Sequence, residues 1–225
     1  MLKELEEAAA SFDDSKPTFG PAEVVYQGKI QQWKRLAYSL MLRLGMRLTK
    51  VDAAAAETWV KKAIAGGVME GNEDICLLPH EGPNQDQSNP ISYSFYKFNL
   101  VELGDIKISK TFLDYLQQSA DPRIPAYMSL PDGNNAPASQ KGLPNGLDAN
   151  TFANYPGGNN LATYSTFNVT KILPLSAPTF MLTYAEVELM LAEAAVRGWT
   201  NGNAATLYRD AVTASMQQQA LYGVT

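Results

Sequence analysis

The chain of 225 residues has a single cysteine, Cys76, and a single histidine, His80. One cysteine excludes a disulfide within the chain. Cys76 and His80 are four residues apart in a stretch rich in proline and glycine, and two such ligands do not make a zinc site. Nor do one thiol and one imidazole argue for a nucleophile pair. No run approaches the ~18 apolar residues that a membrane-spanning helix needs. The N-terminus, MLKELEEAAA, reads as the start of an acidic amphipathic helix and not as a signal peptide. Basic residues are scattered rather than set in a stripe, and the net charge is −5, so nucleic acid is not an expected partner. No glycine-rich phosphate loop precedes a helix, and the GGNN stretch lacks the lysine of a P-loop.

What the chain does have is helix. Trp33 to Leu48 reads WKRLAYSLMLRLGMRL, with Leu36, Leu40, Leu44 and Leu48 at four-residue spacing and Ala37, Met41 and Leu42 broadening the stripe. Arg35, Arg43 and Arg47 interrupt it. Asp52 is placed to cap a second helix that ends at Gly66-Gly67, so residues 29–66 are expected to form a helical hairpin. Leu2 to Ala10 is expected to be a short helix with Leu2 and Leu5 inward. Thr183 to Arg197 (TYAEVELMLAEAAVR) opens on a Thr183-Glu186 capping box. With Ala204 to Ala220 it forms a second hairpin over 183–220, with Leu207, Ala211 and Met216 facing in. Small residues near both crossings suit tetratricopeptide-like pairs, although neither hairpin carries the full 34-residue consensus of that repeat. The fold class is therefore mainly α, with one helical scaffold.

Residues 68–180 have a different texture, dense in Gly, Pro, Asn, Asp and Ser. One helix is expected inside them, Ser109 to Gln118, with Phe112, Leu113 and Leu116 inward. The chain has eleven tyrosines, eight phenylalanines and three tryptophans. Tyr93, Phe95, Tyr96, Tyr127, Phe152, Tyr155, Tyr164 and Phe167 fall in the loop-rich region, too many for a disordered tract. Sugar recognition needs flat apolar faces beside amides and carboxylates. Tyr127, Tyr155 and Tyr164, near Asp132, Asn134, Asn159 and Asn160, supply both and are the candidate ligand residues; the structural reading is that these tyrosines only pin the loops. Glu186 and Glu193 share a helix face. A glycosidase needs two carboxylates facing each other across a sugar at roughly 5–10 Å. Two on one apolar helix point instead to an ion pair with Arg43 or Arg47. No cofactor is expected. The oxygen-rich turn Asp132 to Asn135 has the donor type that calcium takes but lacks a spaced set of acids.

Several segments, taken together and in order, resemble the SusD/RagB-like outer-membrane nutrient-binding lipoproteins. They are KIQQWKRLAYSLMLRLGMRLTKVD, AIAGGVMEGNED, DPRIPAY, LTYAEVELMLAEAAVRGW and NAATLYRDAVTASMQQ. The resemblance implies one SusD-like domain over 1–225, built of tetratricopeptide-like hairpins with a loop-rich ligand face. It implies a surface lipoprotein of Bacteroidetes-type bacteria without enzymatic activity. That protein would bind a glycan or another nutrient and deliver it to a SusC-like TonB-dependent transporter. Family members are longer. The chain therefore reads as a fragment without the signal and lipidation region and the C-terminal portion, with uncovered faces through which it would self-associate. The alternative is a tetratricopeptide-like scaffold binding peptide or protein.

Overall fold

The computed structural model describes residues 1–98 and 106–222. In chain order the helices are α1 (Leu2–Ser11), α2 (Ile30–Arg47), α3 (Ala53–Gly66), α4 (Pro90–Lys97), α5 (Lys110–Gln118), α6 (Ile124–Tyr127), α7 (Ala149–Ala153), α8 (Val169–Ile172), α9 (Tyr184–Val196) and α10 (Ala204–Gln217). The strands are β1 (Cys76–Leu78), β2 (Met128–Ser129), β3 (Thr166–Phe167) and β4 (Thr179–Leu182). Residues 99–105, inside the loop-rich region read from the sequence, lie outside the described residues. The chain divides into a helical unit, Met1–Pro79 with Thr179–Ala220, and a loop-rich unit, His80–Pro178 with Leu221 and Tyr222.

In the helical unit, α2 packs between α1, α3 and α9. Its deepest stripe is not the leucine repeat. Ala37, Met41, Leu42, Gly45 and Met46 are buried, whereas Leu40, Leu44 and Leu48 are only half-buried. The shift follows from Gly45. A Cβ there would stand 3.1 Å from Val60 Cγ2 and 3.3 Å from the Val60 backbone nitrogen, so α2 and α3 cross closely at this point. Full burial of side chains such as Leu42 and Val60 contributes about 1.5–3 kcal/mol each. The Asp52 side chain accepts a hydrogen bond from Ala55 N at 2.9 Å and starts α3. Gly67, at φ +94°, ends it in a conformation open to glycine. Leu2 and Leu5 pack α1 onto the same core.

The second hairpin is α9 with α10. Thr183 Oγ1 accepts from Glu186 N at 3.3 Å, which is half of a capping box. The other half does not form, because the Glu186 carboxylate receives two hydrogen bonds from Arg43, at 2.7 and 2.6 Å. Arg43 also donates to Met181 O at 3.1 Å. The expected pairing of Glu193 with Arg43 or Arg47 is corrected here. Glu193 takes Arg197 one turn along its own helix at 2.6 Å, and Arg47 is exposed with no carboxylate partner among the described residues. Strands β1 and β4 pair antiparallel in the same unit. No helix among the described residues is long and apolar enough to cross a membrane.

One carboxyl in this unit is out of place by ordinary rules. Glu188, on α9, is 6% exposed. Burial pushes its pKa up, and Asp210 pushes the same way against a hydrogen bond from Tyr184. Burial, with Glu188 as its hydrogen-bond partner, pushes the Tyr184 phenol up to about 12. A carboxyl whose folded pKa lies above its unfolded value stabilises fully only below the unfolded value, near pH 4. That stabilisation is lost as pH rises through the raised value. Glu188→Gln keeps an acceptor for Tyr184 without the buried charge. Thermal melts should find this variant more stable than the parent at pH 8 and indistinguishable from it at pH 4. A less stable variant at pH 8 would show the carboxylate to be favourably held.

In the loop-rich unit a separate core gathers Ile108, Leu113, Leu116, Ile124 and Met128. Helix α5, the one helix expected in this region, supplies Leu113 and Leu116; the expectation of a single helix is corrected, since α4, α6, α7 and α8 form here too, α4 started by the Asn89 cap and Pro90. Phe112, expected inward, is 47% exposed, because the inward stripe of α5 runs at i and i+3 through the two leucines. Strands β2 and β3 pair antiparallel, Met128 opposite Phe167. The segment 106–109 is tied to 141–143 and 165 by backbone bonds, Leu143 N to Ile108 O at 2.7 Å and Ile108 N to Ser165 O at 2.8 Å.

Candidate functional site

A wide cleft in the loop-rich unit is built on α4. Asn89 caps this helix, its side chain accepting from Ile91 N and Ser92 N at 3.0 and 3.1 Å, and Pro90 occupies the first turn. The same residue anchors the helix to the opposite wall: Asn89 N donates to Leu175 O at 2.8 Å and Asn89 Nδ2 to Ala177 O at 3.1 Å. From α4, Phe95 turns inward and meets Phe167 of β3 edge to face, with ring centroids 5.6 Å apart. Tyr93 and Tyr96, three residues apart, then share the outward face with Lys97. Their rings are 6.4 Å apart, and Tyr96 is 70% exposed. Tyr93, Tyr96, Lys97, Pro131, Thr170 and Leu173 line a cleft of about 920 Å³. Ser92, 1% exposed, lies in its wall with a buried hydroxyl that has no hydrogen-bond partner among the described residues.

A smaller recess of about 290 Å³ shares Pro131, Val169 and Thr170 with the lining of the cleft. Asn135, Thr166, Asn168 and Lys171 bring polar groups to walls that Leu130, Phe167 and Val169 also line. Asn168 is fixed by Nδ2 donating to Pro125 O at 2.8 Å and by Oδ1 accepting from Thr170 Oγ1 at 2.8 Å. The Pro131–Asn135 turn is held by Leu130 N on Asn134 O at 2.8 Å, and Gly133 takes φ +86°. Flat aromatic faces thus adjoin a rim of amides and hydroxyls, the combination that holds a sugar by stacking and hydrogen bonding.

The residues expected from sequence fall elsewhere or play other roles. Tyr164 is fully buried, its hydroxyl donating to Gly158 O at 2.6 Å and its ring faced by the Lys141 ammonium at 4.5 Å. It cannot stack on a ligand, and its place in the candidate set is corrected: it holds the 155–160 loop. Tyr127 is half-buried against the core of the unit, with the Arg123 guanidinium 5.6 Å from its ring. Arg123 is held by Asp121 at 2.7 Å, and hydrogen bonding from that arginine keeps the Asp121 carboxyl below its usual value. Asp132 and Asn134 sit in the turn beside the recess. Asp132 Oδ1 accepts from Asn134 N at 2.9 Å and Asn134 Oδ1 from Ala136 N at 3.0 Å, so both oxygens serve the turn itself. Tyr155, Asn159 and Asn160 belong to a different loop. There Asn159 Nδ2 donates to Ala153 O at 3.0 Å, and Asn160 Oδ1 accepts from Ala162 N at 3.0 Å. Sequence reasoning noted Tyr93 and Tyr96 among the loop aromatics but passed over them as ligand residues. The signal was present: an Asn-Pro cap followed by tyrosines at i and i+3.

The chain thus combines helical hairpins with a loop-rich unit that presents an open, aromatic-lined cleft. The family model described as starch-binding and associating with the outer membrane, the SusD-like family, matches residues 1–223, and the chain belongs to that family. Among solved structures it is similar to a chitin-binding protein, 30% identical with a TM-score of 0.82, over 100% of this chain and 48% of that one. It is similar also to a chitin-binding SusD homologue from Flavobacterium johnsoniae, 27% identical with a TM-score of 0.75, over 97% and 43%. A SusD homologue from Bacteroides thetaiotaomicron is 28% identical with a TM-score of 0.71, over 98% and 44%. The chain spans about half the length of these structures. No curated protein matches it.

Proposed function

We propose that this chain binds a glycan nutrient at the outer-membrane surface, without transforming it, and serves delivery to a SusC-like TonB-dependent transporter. The observation that carries the reading is the α4 cleft, where Tyr96 stands exposed beside Tyr93 at the mouth of a space of sugar-chain dimensions. Family membership and the two chitin-binding relatives support a saccharide ligand. Binding and release need only stacking faces and hydrogen-bonding groups, which are what line the cleft, and no catalytic step is assigned to it.

The test is a screen of the chain against a glycan array and a peptide pool, with calorimetry on each hit. A glycan hit should weaken about tenfold in Tyr96→Ala, equivalent to ~1.4 kcal/mol. A glycan that binds Tyr96→Ala as tightly as the parent would move the site away from α4. Binding of peptides alone would replace the glycan reading with that of a tetratricopeptide-like scaffold.

A further inference from the structure

The cleft and its recess hold two positive charges that no carboxylate or carbonyl among the described residues pairs. Six lysine and arginine side chains belong to the described residues of the loop-rich unit. Four of them bond an oxygen: Lys107 to Tyr164 O, Lys110 to Asp114, Arg123 to Asp121 and Lys141 to Gly157 O. The other two, Lys97 and Lys171, have neither a carboxylate nor a carbonyl partner among the described residues; Lys97 lines the cleft and Lys171 the neighbouring recess, which share Pro131, Val169 and Thr170. Lys97 lies at the aromatic end, its ammonium 5.9 Å from the centroid of the Tyr93 ring. Lys171 lines the recess beside Asn135, Thr166 and Asn168. Among the described residues no aspartate or glutamate lines either cavity. Asp132, next to Pro131 in the sequence, has an oxygen engaged by Asn134 N. In a chain of net charge −5, two cations without a carboxylate partner among the described residues, lining neighbouring cavities, are an arrangement that a neutral sugar leaves unused.

We infer that the cleft and its recess take an anionic oligosaccharide, one bearing carboxylates or sulfate esters, with its sugar faces on Tyr93 and Tyr96 and its anionic groups at Lys97 and Lys171. This rests on the glycan reading above and names the class of glycan. A hydrogen bond from an ammonium to an anion is shorter and roughly twice as strong as one between neutral groups, and the attraction is screened by salt because the cleft is open. The class differs from the chitin that two of the similar structures are described as binding.

The experiment is calorimetry of the chain with four tetrasaccharides of equal length: a polygalacturonate fragment, a sulfated galactan fragment, chitotetraose and maltotetraose. Each is measured at low and at high salt. One of the two anionic ligands should bind at least about tenfold tighter than either neutral one at low salt and lose most of that advantage at high salt. Which anionic ligand wins tells carboxylate from sulfate. Lys97→Gln and Lys171→Gln should each weaken the anionic ligand about fivefold, while Lys→Arg at the same positions retains it. Both lysines are exposed, so unchanged melting temperatures should accompany the loss. Neutral sugars binding as tightly as anionic ones, with Tyr96→Ala weakening them, would overturn this inference and leave the glycan reading standing. Failure of every tetrasaccharide to bind would overturn both.

Discussion

Arg35→Ala should lower the melting temperature of the helical unit by about 10 °C, the largest loss expected from removing any one charge in the chain. The reason is the burial of its partner. Asp74 has 1% of its side chain exposed, and Arg35 Nη1 donates to both of its carboxylate oxygens, at 3.2 and 3.0 Å. The same guanidinium bonds Glu70, and Glu70 N donates to Asp74 at 3.0 Å. Removing the arginine leaves a buried carboxylate without its cation, a loss of about 3–5 kcal/mol. In a protein of this size each kcal/mol moves the melting temperature by roughly 2–4 °C. Arg43→Ala is the control. Its pair with Glu186 is 26% and 40% exposed, so water replaces the lost partner and the effect should stay near 1 kcal/mol or below. Equal losses for the two variants in thermal denaturation would show that burial of Asp74 is not what makes the first pair matter.

Gly142→Ala is expected to disrupt the loop-rich unit by an amount of similar size, through sterics alone. A Cβ on Gly142 would overlap Lys110 Cα and stand 2.7 Å from Lys110 N, so it would meet backbone and not a side chain that can swing away. The contact lies at the bridge between Ser109 and Leu143, where Lys110 N donates to Leu143 O at 2.8 Å. One methyl must therefore push these backbone segments apart, at a cost on the order of 3 kcal/mol or more. Amide exchange should speed up at Lys110 and Leu143. Gly133→Ala makes the comparison: its φ of +86° is strained for alanine, but nothing lies within 4 Å of the new methyl. It should lose only about 1–2 kcal/mol. Native-like exchange at Lys110 and Leu143 in Gly142→Ala would remove the argument.

The helical scaffold was legible because its signals are local. The stop at Gly67, the caps at Asp52 and Thr183, and the apolar period of α2 each involve residues within about one turn of each other. The resemblance to SusD-like proteins rested on those same segments. The arginines show where local reading ends. Three of them break the α2 stripe, and nothing in their spacing distinguishes them. Arg35 reaches across 39 positions to a buried aspartate, Arg43 across 143 positions to Glu186, and Arg47 stays in solvent. The capping box at Thr183 formed by half because a distant guanidinium took the glutamate that would have completed it.

The loop tyrosines make the same point about the site. Composition alone marks residues 68–180 as an ordered, aromatic surface. Tyr164 and Tyr96 both read as loop aromatics by composition, yet one is sealed under its own loop and the other stands open on α4. That difference comes from contacts between residues far apart in the chain: Asn89 with Leu175 and Ala177, Phe95 with Phe167, Tyr127 O with Asn168 N. By itself the sequence determined the two hairpins, α5 and the family, because each is written in neighbouring residues; α4, on which the cleft is built, and the short helices α6, α7 and α8 lie where the sequence predicts irregular chain. Which tyrosines face solvent, which carboxylates meet Arg35 and Arg43, and where two lysines lack a carboxylate among the described residues were decided only by tertiary structure. Side-chain exposure in irregular chain follows no period, and long-range packing alone sets it.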